Sequence, residues 1–279
     1  MVRWMITALA CAACATPALA QQRDASLPDP SDRSDTSTIG AGAAWMPDYE
    51  GSNEHKLTPA AAIRGRVSGI SFFTRATYLY VDVVPRGSGK LDFDAGPIAG
   101  VRFNRTGHVK DDIVDLLPRR RKAIEVGGFA GLTYHGLTNP YDALSVRVDV
   151  VKDVGNAHKS TLITPTIDFG TPLSKTLYIG ASASAEWAGD GYADYYYSIT
   201  PAQSLASGLP VYKAQGGFKN WKVGLLANQS ITGNLLHGLS LFGTVNYGRL
   251  KNDFAAAPIV SLRGSPRQTL AALGLAYSF

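Results

Sequence analysis

Three kinds of pattern are scarce or missing in this chain, and each absence excludes a class of protein. The only two cysteines, Cys11 and Cys14, lie within the first twenty residues, so the rest of the chain has no thiol for a disulfide, for nucleophilic catalysis or for a zinc site. No run of 18 apolar residues follows Ala20, so a membrane-spanning helix is not predicted. Charged residues make up only 18%, below the roughly 25% of a typical soluble domain.

The composition favours a β-rich protein. The chain has 27 Lys+Arg against 22 Asp+Glu, and this small excess is spread along its length, so no nucleic-acid partner is expected. It is rich in glycine, with 29 residues, and in tyrosine, with 13. The mean hydropathy of −0.02 fits a chain in which polar and apolar residues are finely interleaved.

The first twenty residues have the order of parts found in a secretory signal peptide. Arg3 supplies positive charge, and the apolar stretch Met5–Ala15 is too short to span a bilayer. Ala18, Leu19 and Ala20 form a small-residue cleavage site. We therefore expect export, cleavage after Ala20, and a mature charge of 26 minus 22, or +4.

The remaining chain divides into two predicted parts. Residues 21–37 are polar and rich in Pro, Asp and Ser, which predicts a disordered periplasmic leader. From residue 38 to 279, apolar residues alternate with polar or small ones. Leu144, Val146 and Val148, for example, alternate with Arg147 and Asp149. Successive side chains of a strand point to opposite faces, so each such segment has one apolar and one polar face.

Eleven strands are predicted from this alternation. They lie near 38–46, 57–67, 70–83, 91–103, 122–135, 142–152, 160–170, 175–187, 215–231, 238–250 and 268–279. Bacterial outer-membrane barrels have an even number of strands. We therefore favour twelve strands, with the missing one in 192–217, and ten as the alternative. The sidedness of the connections 104–121 and 188–214 stays open.

The strand length distinguishes a membrane barrel from a soluble sandwich. Many segments run to about 10–13 residues, as tilted membrane-spanning strands do, whereas soluble strands average about 5–6. Aromatic residues fall near strand ends, where interfacial girdles lie: Trp45, Tyr78, Tyr80, Phe103, Tyr134, Trp187, Trp221, Tyr247 and Phe279. Prolines at 59, 97 and 165 argue against a barrel, because each removes a ladder hydrogen bond. On balance the fold class is all-β, an antiparallel transmembrane β-barrel.

The alternation also assigns the two faces. The lipid face is predicted to carry Val146, Val148, Leu177, Ile179, Leu225 and Leu273. The lumen is predicted to carry Asp92, Asp94, Arg102, Arg147, Asp149 and Glu186. Charges of mixed sign inside a small barrel favour a salt-bridged filling over an open channel.

Three motifs stand out from the generic alternation of strands. Their residues are Pro47, Asp48, Tyr49, Glu50, Gly51, Asp194, Tyr195, Tyr196, Gly208, Leu209, Pro210, Tyr247, Leu250, Asp253, Pro258, Ile259 and Val260. Together with the terminal Tyr-Ser-Phe, these motifs resemble those of the MipA/OmpV family, the MltA-interacting proteins of the Gram-negative outer membrane. The resemblance covers essentially the whole mature chain. The chain departs from the family at Tyr195–Tyr197, where a Tyr-Phe-Gly type triplet is usual, and at Ala257, where Ser commonly precedes Pro-Ile-Val.

The resemblance implies an outer-membrane barrel. For some members it implies a scaffold that joins a murein lytic transglycosylase to a penicillin-binding protein, and a narrow pore or uptake channel is the alternative function. Tyr277 and Phe279 close the last amphipathic strand, an ending typical of bacterial barrels, so we expect the barrel-assembly machinery to recognise them. The other expected partners are outer-membrane lipid and lipopolysaccharide.

No enzymatic activity and no cofactor are expected. Asp48, Glu50 and Glu54 could ligate a cation, but they lack the regular spacing of a calcium loop, so a structural turn with Tyr49 packed at the barrel rim is favoured. The five histidines lack metal-ligand spacing and are interpreted as solvated. His135 and Ser145 could face each other across a hairpin, a pairing that arises often by chance.

One basic run stands out, at residues 119–122. Arg119, Arg120, Arg121 and Lys122 could clamp lipopolysaccharide phosphates or an acidic partner. A solvated collar at the membrane interface is the favoured alternative. The preceding segment, residues 111–117, is predicted to form a short amphipathic helix.

Overall fold

The computed structural model describes residues 35–87 and 89–279. The predicted signal peptide and most of the predicted leader lie outside the described residues. Twelve strands form one closed antiparallel barrel, in which each strand pairs with its sequence neighbours and β1 pairs with β12. The strands are β1 (Thr36–Pro47), β2 (His55–Val67), β3 (Ile70–Arg75), β4 (Tyr78–Asp82), β5 (Leu91–Arg102), β6 (Ala123–His135), β7 (Ala143–Asp153), β8 (Thr161–Pro172), β9 (Leu177–Ala188), β10 (Gly217–Ser230), β11 (Gly238–Leu250) and β12 (Arg267–Ser278).

The twelfth strand is not where the sequence placed it. The predicted strand 70–83 is a hairpin of two short strands, β3 and β4, which turn at Ala76 with a φ of 50°. The segment 192–217 holds helices and an isolated bridge between Ile199 and Tyr212. The prediction of a strand there is wrong, because Thr200 and Pro201 begin a helix that competes with extended structure.

In the described residues five helices lie in the loops: α1 (Asp112–Asp115), α2 (Asp190–Tyr197), α3 (Pro201–Ser207), α4 (Asn252–Ala256) and α5 (Pro258–Ser261). In the described part of the chain no helix is both long enough and apolar enough to cross a membrane. α1 is the predicted short helix, with Asp111 as N-cap and Val114 buried. α3 begins with a capping box between Thr200 and Gln203 and ends at Gly208, whose φ of 73° favours glycine.

Connections at the two ends of the barrel differ in length. One end, the short-turn end, has the connections 68–69, 83–90, 136–142, 173–176 and 231–237. The other end, the long-loop end, has the loops 48–54, 103–122, 154–160, 189–216 and 251–266, together with the tight β3–β4 turn. All five helices therefore lie at the long-loop end.

The predicted faces are confirmed. Val146 and Val148 are 52% and 42% exposed, whereas Arg147 and Asp149 are each 7% exposed. The lipid face predicted for Ile179, Leu225 and Leu273 is likewise exposed, and Leu177 is partly exposed. Asp92, Asp94, Arg102 and Glu186 face inward, as predicted.

Two residues of the predicted aromatic girdles face the lumen. Tyr80 stacks on Phe73 inside the barrel, with ring centroids 4.9 Å apart, and donates a hydrogen bond to Asp149. The hydroxyl of Tyr78 donates to Glu125. The girdle interpretation is therefore wrong for both, because they belong to the inward face of β4.

The three prolines that counted against a barrel, Pro59, Pro97 and Pro165, lie where the ladder has a gap on one side. The β2–β3 ladder begins at Arg64, beyond Pro59, and the β4–β5 ladder stops at Ile98, beside Pro97. The β8–β9 ladder is interrupted between Ile163 and Thr166, around Pro165. A residue without an N–H is tolerated at such gaps, so the prolines are compatible with the closed barrel.

Candidate functional site

The three sequence motifs meet at the long-loop end. We call the buried assembly there the plug: the 48–54 turn, α2, α4, α5 and the loop residues packed on them. Tyr49, which is 3% exposed, donates a hydrogen bond to the carbonyl of Ile259 at 2.9 Å. Gly51 packs so closely on Val260 that a Cβ would lie 2.4 Å from its Cγ2, and its φ is 102°. The turn is thus confirmed, but Tyr49 is buried within the plug.

The core of the plug is aromatic. Tyr192, Tyr196, Tyr197 and Phe254 are fully buried, and Phe254 packs edge-on against Tyr197 at 5.1 Å between ring centroids. Leu250, Ile259 and Val260 close the same cluster. The sequence motifs had pointed to Tyr196, Leu250, Ile259 and Val260, whereas Tyr192 and Phe254 were missed.

Tyr192 lies inside the barrel mouth. Its hydroxyl accepts hydrogen bonds from Arg102 at 3.4 Å and from Lys219 at 3.1 Å, and it donates to Glu50 at 2.5 Å. Arg102 is on β5 and Lys219 on β10, five strands apart in the ring of twelve. Arg102, Tyr192 and Lys219 together therefore bridge two distant parts of the barrel wall.

Lys219 is the most heavily paired cation of the site. Its fully buried ammonium lies 2.8 Å from Glu50 and 2.5 Å from Glu186, and it also sits 4.5 Å from the centre of the Tyr192 ring. A bulge opposite β9 places it there: Phe218 pairs with Trp187 and Asn220 with Glu186, which leaves Lys219 as the extra residue. A bulge re-aims side chains, so Lys219 turns inward although the alternation of β10 would place it among the lipid-facing residues.

Glu125 anchors a second group of charges beside the first. Its carboxylate accepts bonds from Arg102 at 2.7 Å, from Tyr78 at 2.6 Å and from His158 at 3.0 Å. His158 is 3% exposed, and its Nδ1 accepts a bond from the backbone N–H of Ser160. The interpretation of His158 as solvated is wrong, because the loop 154–160 folds back over the barrel mouth.

Charge pairing decides the ionisation of Glu50. Burial favours the neutral acid, but the charges of Lys219 and Arg102 outweigh that effect and hold the pKa of Glu50 well below its usual value. Burial raises the pKa of Tyr192 far above the ordinary value, so it remains a hydrogen-bond donor. Glu50 therefore acts as a partly buried anion that joins the 48–54 turn to β10 and α2.

The cation-site hypothesis for the 48–54 turn finds no geometric support. Asp48 pairs with Lys56 at 3.2 Å and accepts a bond from the N–H of Lys110, while Glu50 pairs with Lys219. Within residues 35–87 and 89–279, no three His, Cys, Asp or Glu side chains are grouped as metal ligands.

His135 and Ser145 each have another hydrogen-bond partner, so the structure does not support the hypothetical pair. His135 Nε2 lies 3.0 Å from Asp92, and the hydroxyl of Ser145 pairs with Thr133 at 2.8 Å.

The basic run is largely engaged with its own loops. Arg119 hydrogen-bonds His108, Arg120 lies over the ring of Tyr195 at 4.9 Å, and Arg121 hydrogen-bonds the carbonyl of Asn156. Lys122 lies 5.2 Å from the ring centre of Phe103. Arg119, Arg121 and Lys122 remain exposed, so these contacts orient the run against its own loops without burying it.

The other motif residues lie around the plug. Asp194 pairs with Lys213 at the surface, at 2.5 Å. Asp253 accepts a bond from the N–H of Gln215, and its carbonyl accepts one from Tyr212. Leu209 is buried, and Pro47 is the last residue of β1. Tyr247 faces outward, beside Trp221 at 5.7 Å between ring centroids.

The closing strand is fully paired. Phe279 exchanges backbone hydrogen bonds with Ser37 at 2.9 and 3.0 Å, and Tyr277 pairs with Ile39 across the seam. Both aromatic rings point outward, with centroids 6.3 Å apart.

Solved outer-membrane barrels are similar to this chain at low identity. The outer membrane protein OprD from Pseudomonas aeruginosa is 11% identical with a TM-score of 0.39, over 86% of this chain and 65% of that one. The CymD monoaromatic hydrocarbon channel is 11% identical with a TM-score of 0.39, and the match covers 87% of this chain and 88% of that one. An outer membrane channel from Pseudomonas putida F1 is 10% identical with a TM-score of 0.46, and the match covers 88% of this chain and 95% of that one. No curated protein matches the sequence.

A family model gives the more specific result. The model described as MltA-interacting protein MipA matches residues 39–279, which include every strand except the first residues of β1. All three motifs and the closing strand lie within this match. The chain therefore belongs to the MltA-interacting protein MipA family and is an outer-membrane β-barrel protein.

Proposed function

We propose that this protein is an outer-membrane scaffold that holds a murein lytic transglycosylase and a penicillin-binding protein at the periplasmic side of the membrane. The observation that carries the proposal is the plug, whose fully buried Tyr192, Tyr197 and Phe254 fill the barrel mouth. A mouth filled with packed side chains suits an anchoring role better than the passage of solutes. The family description, an MltA-interacting protein, supports the same function.

The side of the membrane follows from the connections. Short turns face the periplasm and longer loops the exterior in bacterial outer-membrane barrels. The plug would then close the extracellular end, and the short-turn end, with the predicted leader 21–37, would face the murein layer. We expect the partner enzymes to bind at that end.

A capture experiment tests the scaffold. The mature protein in nanodiscs would be mixed with a purified lytic transglycosylase and a bifunctional penicillin-binding protein of the same cell, and a chain without residues 21–34 would be compared. We expect the full chain to retain both enzymes together, and empty nanodiscs to retain neither. Failure to retain either enzyme would refute the scaffold.

A narrow pore is the second candidate, and one observation favours it. Arg64 lies near the short-turn end and is the ladder partner of Phe73, so its side chain faces the lumen. It is nevertheless exposed, so the lumen at the short-turn end is open to water. A pore would require the plug to move. Planar-bilayer recordings would show steady conductance for a pore and none above the lipid background for a scaffold.

A further inference from the structure

Two arginines lie side by side on the outer surface of the barrel at the long-loop end. Arg249, the penultimate residue of β11, is the direct ladder partner of Arg267, the first residue of β12. Both are exposed, while their neighbours Gly248 and Leu250 are buried. Residues directly opposite in a ladder share a face, so both guanidinium groups belong to the lipid-facing side.

The pair has no anion to balance it within the described part of the chain. Neither guanidinium group forms a salt bridge or a side-chain hydrogen bond with any residue of 35–87 or 89–279. Directly opposed side chains have Cβ atoms about 4.5–5.5 Å apart, and like charges at that position are destabilising. Lys219 in the plug is balanced by Glu50 and Glu186, whereas this exposed pair leaves two positive charges for an external partner.

The aromatic residues around the pair fix its depth in the membrane. Trp221 is the ladder partner of Arg249 on its other side, and Tyr247 lies two residues closer to the middle of the strand. Tyr and Trp mark the headgroup level of a membrane-spanning protein. Two residues of strand rise about 7 Å, so the arginines reach the headgroup level or just beyond it. Below them, Val245 and Leu273 face lipid.

The chemistry at that level is phosphate. We infer that Arg249 and Arg267 bind a phosphate group on the headgroup of an outer-leaflet lipid, of which the bacterial outer membrane supplies lipopolysaccharide. Guanidinium groups bind phosphate through paired, charge-assisted hydrogen bonds, and two of them on adjacent strands converge on one phosphate. This site is separate from the run 119–122, whose side chains are engaged with their own loops.

Lipid retention tests the site. The mature protein would be purified from vesicles of phosphatidylethanolamine and lipopolysaccharide, and bound lipid would be measured by native mass spectrometry for the wild type and for R249Q/R267Q. The matched control is K90Q/K175Q, which removes two exposed positive charges from the short-turn end. We expect R249Q/R267Q to retain phosphorylated lipid at least about tenfold less well than the wild type, and the control to match the wild type.

Two further arms identify the ligand. Lipopolysaccharide whose glucosamine phosphates have been removed should bind wild type and R249Q/R267Q equally weakly. Excess inorganic phosphate should leave the lipid in place, since the surrounding Trp221 and Val245 contact the lipid body. Equal retention of phosphorylated lipid by R249Q/R267Q and the wild type would overturn the inference, as would displacement of the lipid by inorganic phosphate alone. Heat-modifiable migration of each variant would confirm that the barrel is folded.

Discussion

Replacing Lys219 with Met provides the sharpest test of the plug. Lys219 is fully buried, and its ammonium group is the shared partner of Glu50, Glu186 and the Tyr192 hydroxyl. Met has a similar length and no charge. The substitution therefore removes the cation and leaves two buried carboxylates facing each other.

The expected cost follows from the burial of those carboxylates. Removing one partner of a buried ion pair costs about 3–5 kcal/mol, because the remaining charge is desolvated. Glu186 keeps Lys222 at 3.7 Å and Glu50 keeps the hydrogen bond from Tyr192, so we expect the lower end of that range. Lys222→Met is the matched control. Lys222 lies 3.7 Å from the same Glu186, but its side chain is 48% exposed, so its loss should cost about 0.2–1 kcal/mol. Adding Glu50→Gln to Lys219→Met should restore part of the lost stability, because one buried charge is then gone.

Urea unfolding of the protein in phospholipid vesicles would measure these free energies, with the heat-dependent gel shift as the readout of folded barrel. Tryptophan fluorescence would provide an independent probe. Equal losses for Lys219→Met and Lys222→Met, both below about 1 kcal/mol, would refute the conclusion that the plug is held by its buried charges.

Three other predictions follow from the described contacts. Val148→Arg should reduce folding into liposomes far more than Asp149→Asn, because a charge on the lipid face at mid-membrane costs about 2–4 kcal/mol; equal yields would mean that the faces are reversed. Deleting Phe279 should lower the amount of folded barrel in the outer membrane and increase degradation products in cells, because it removes an outward aromatic and two seam hydrogen bonds; wild-type levels on a heat-shift immunoblot would contradict this. Since the pKa of Glu50 is lower in the folded protein than its unfolded value of 4.5, the stability it supplies is present above that pH and is lost as the pH falls below it. Urea midpoints of the wild type should therefore fall more steeply below pH 4.5 than those of Glu50→Gln, and parallel pH profiles would argue against the lowered pKa.

Period-two alternation predicted most of the barrel wall. Each strand exposes one face to lipid, so a one-residue error would invert every assignment, and Val148 and Asp149 lie on the predicted sides. Closure also followed from the sequence, because an open edge is unfavourable within a membrane and an even number of strands was required. The alternation could not reveal the β3–β4 hairpin, because a tight turn at Ala76 leaves the pattern of apolar residues nearly continuous.

Only the tertiary structure decided which side chains meet inside the barrel mouth at the long-loop end. The motifs identified Glu50, Ile259 and Val260 as important, but nothing in their spacing shows that loops separated by some 200 residues meet inside the lumen. Lys219 shows the limit most clearly: alternation along β10 assigns it to lipid, and a single bulge turns it into the buried partner of two carboxylates. Register likewise decided the pairing of Arg249 with Arg267, because residues on different strands become neighbours only when the ladder aligns them. Local pattern thus determines the face of a residue within a regular stretch of strand, whereas bulges, register and loop packing determine what it contacts and, as at Lys219, can move it to the other face.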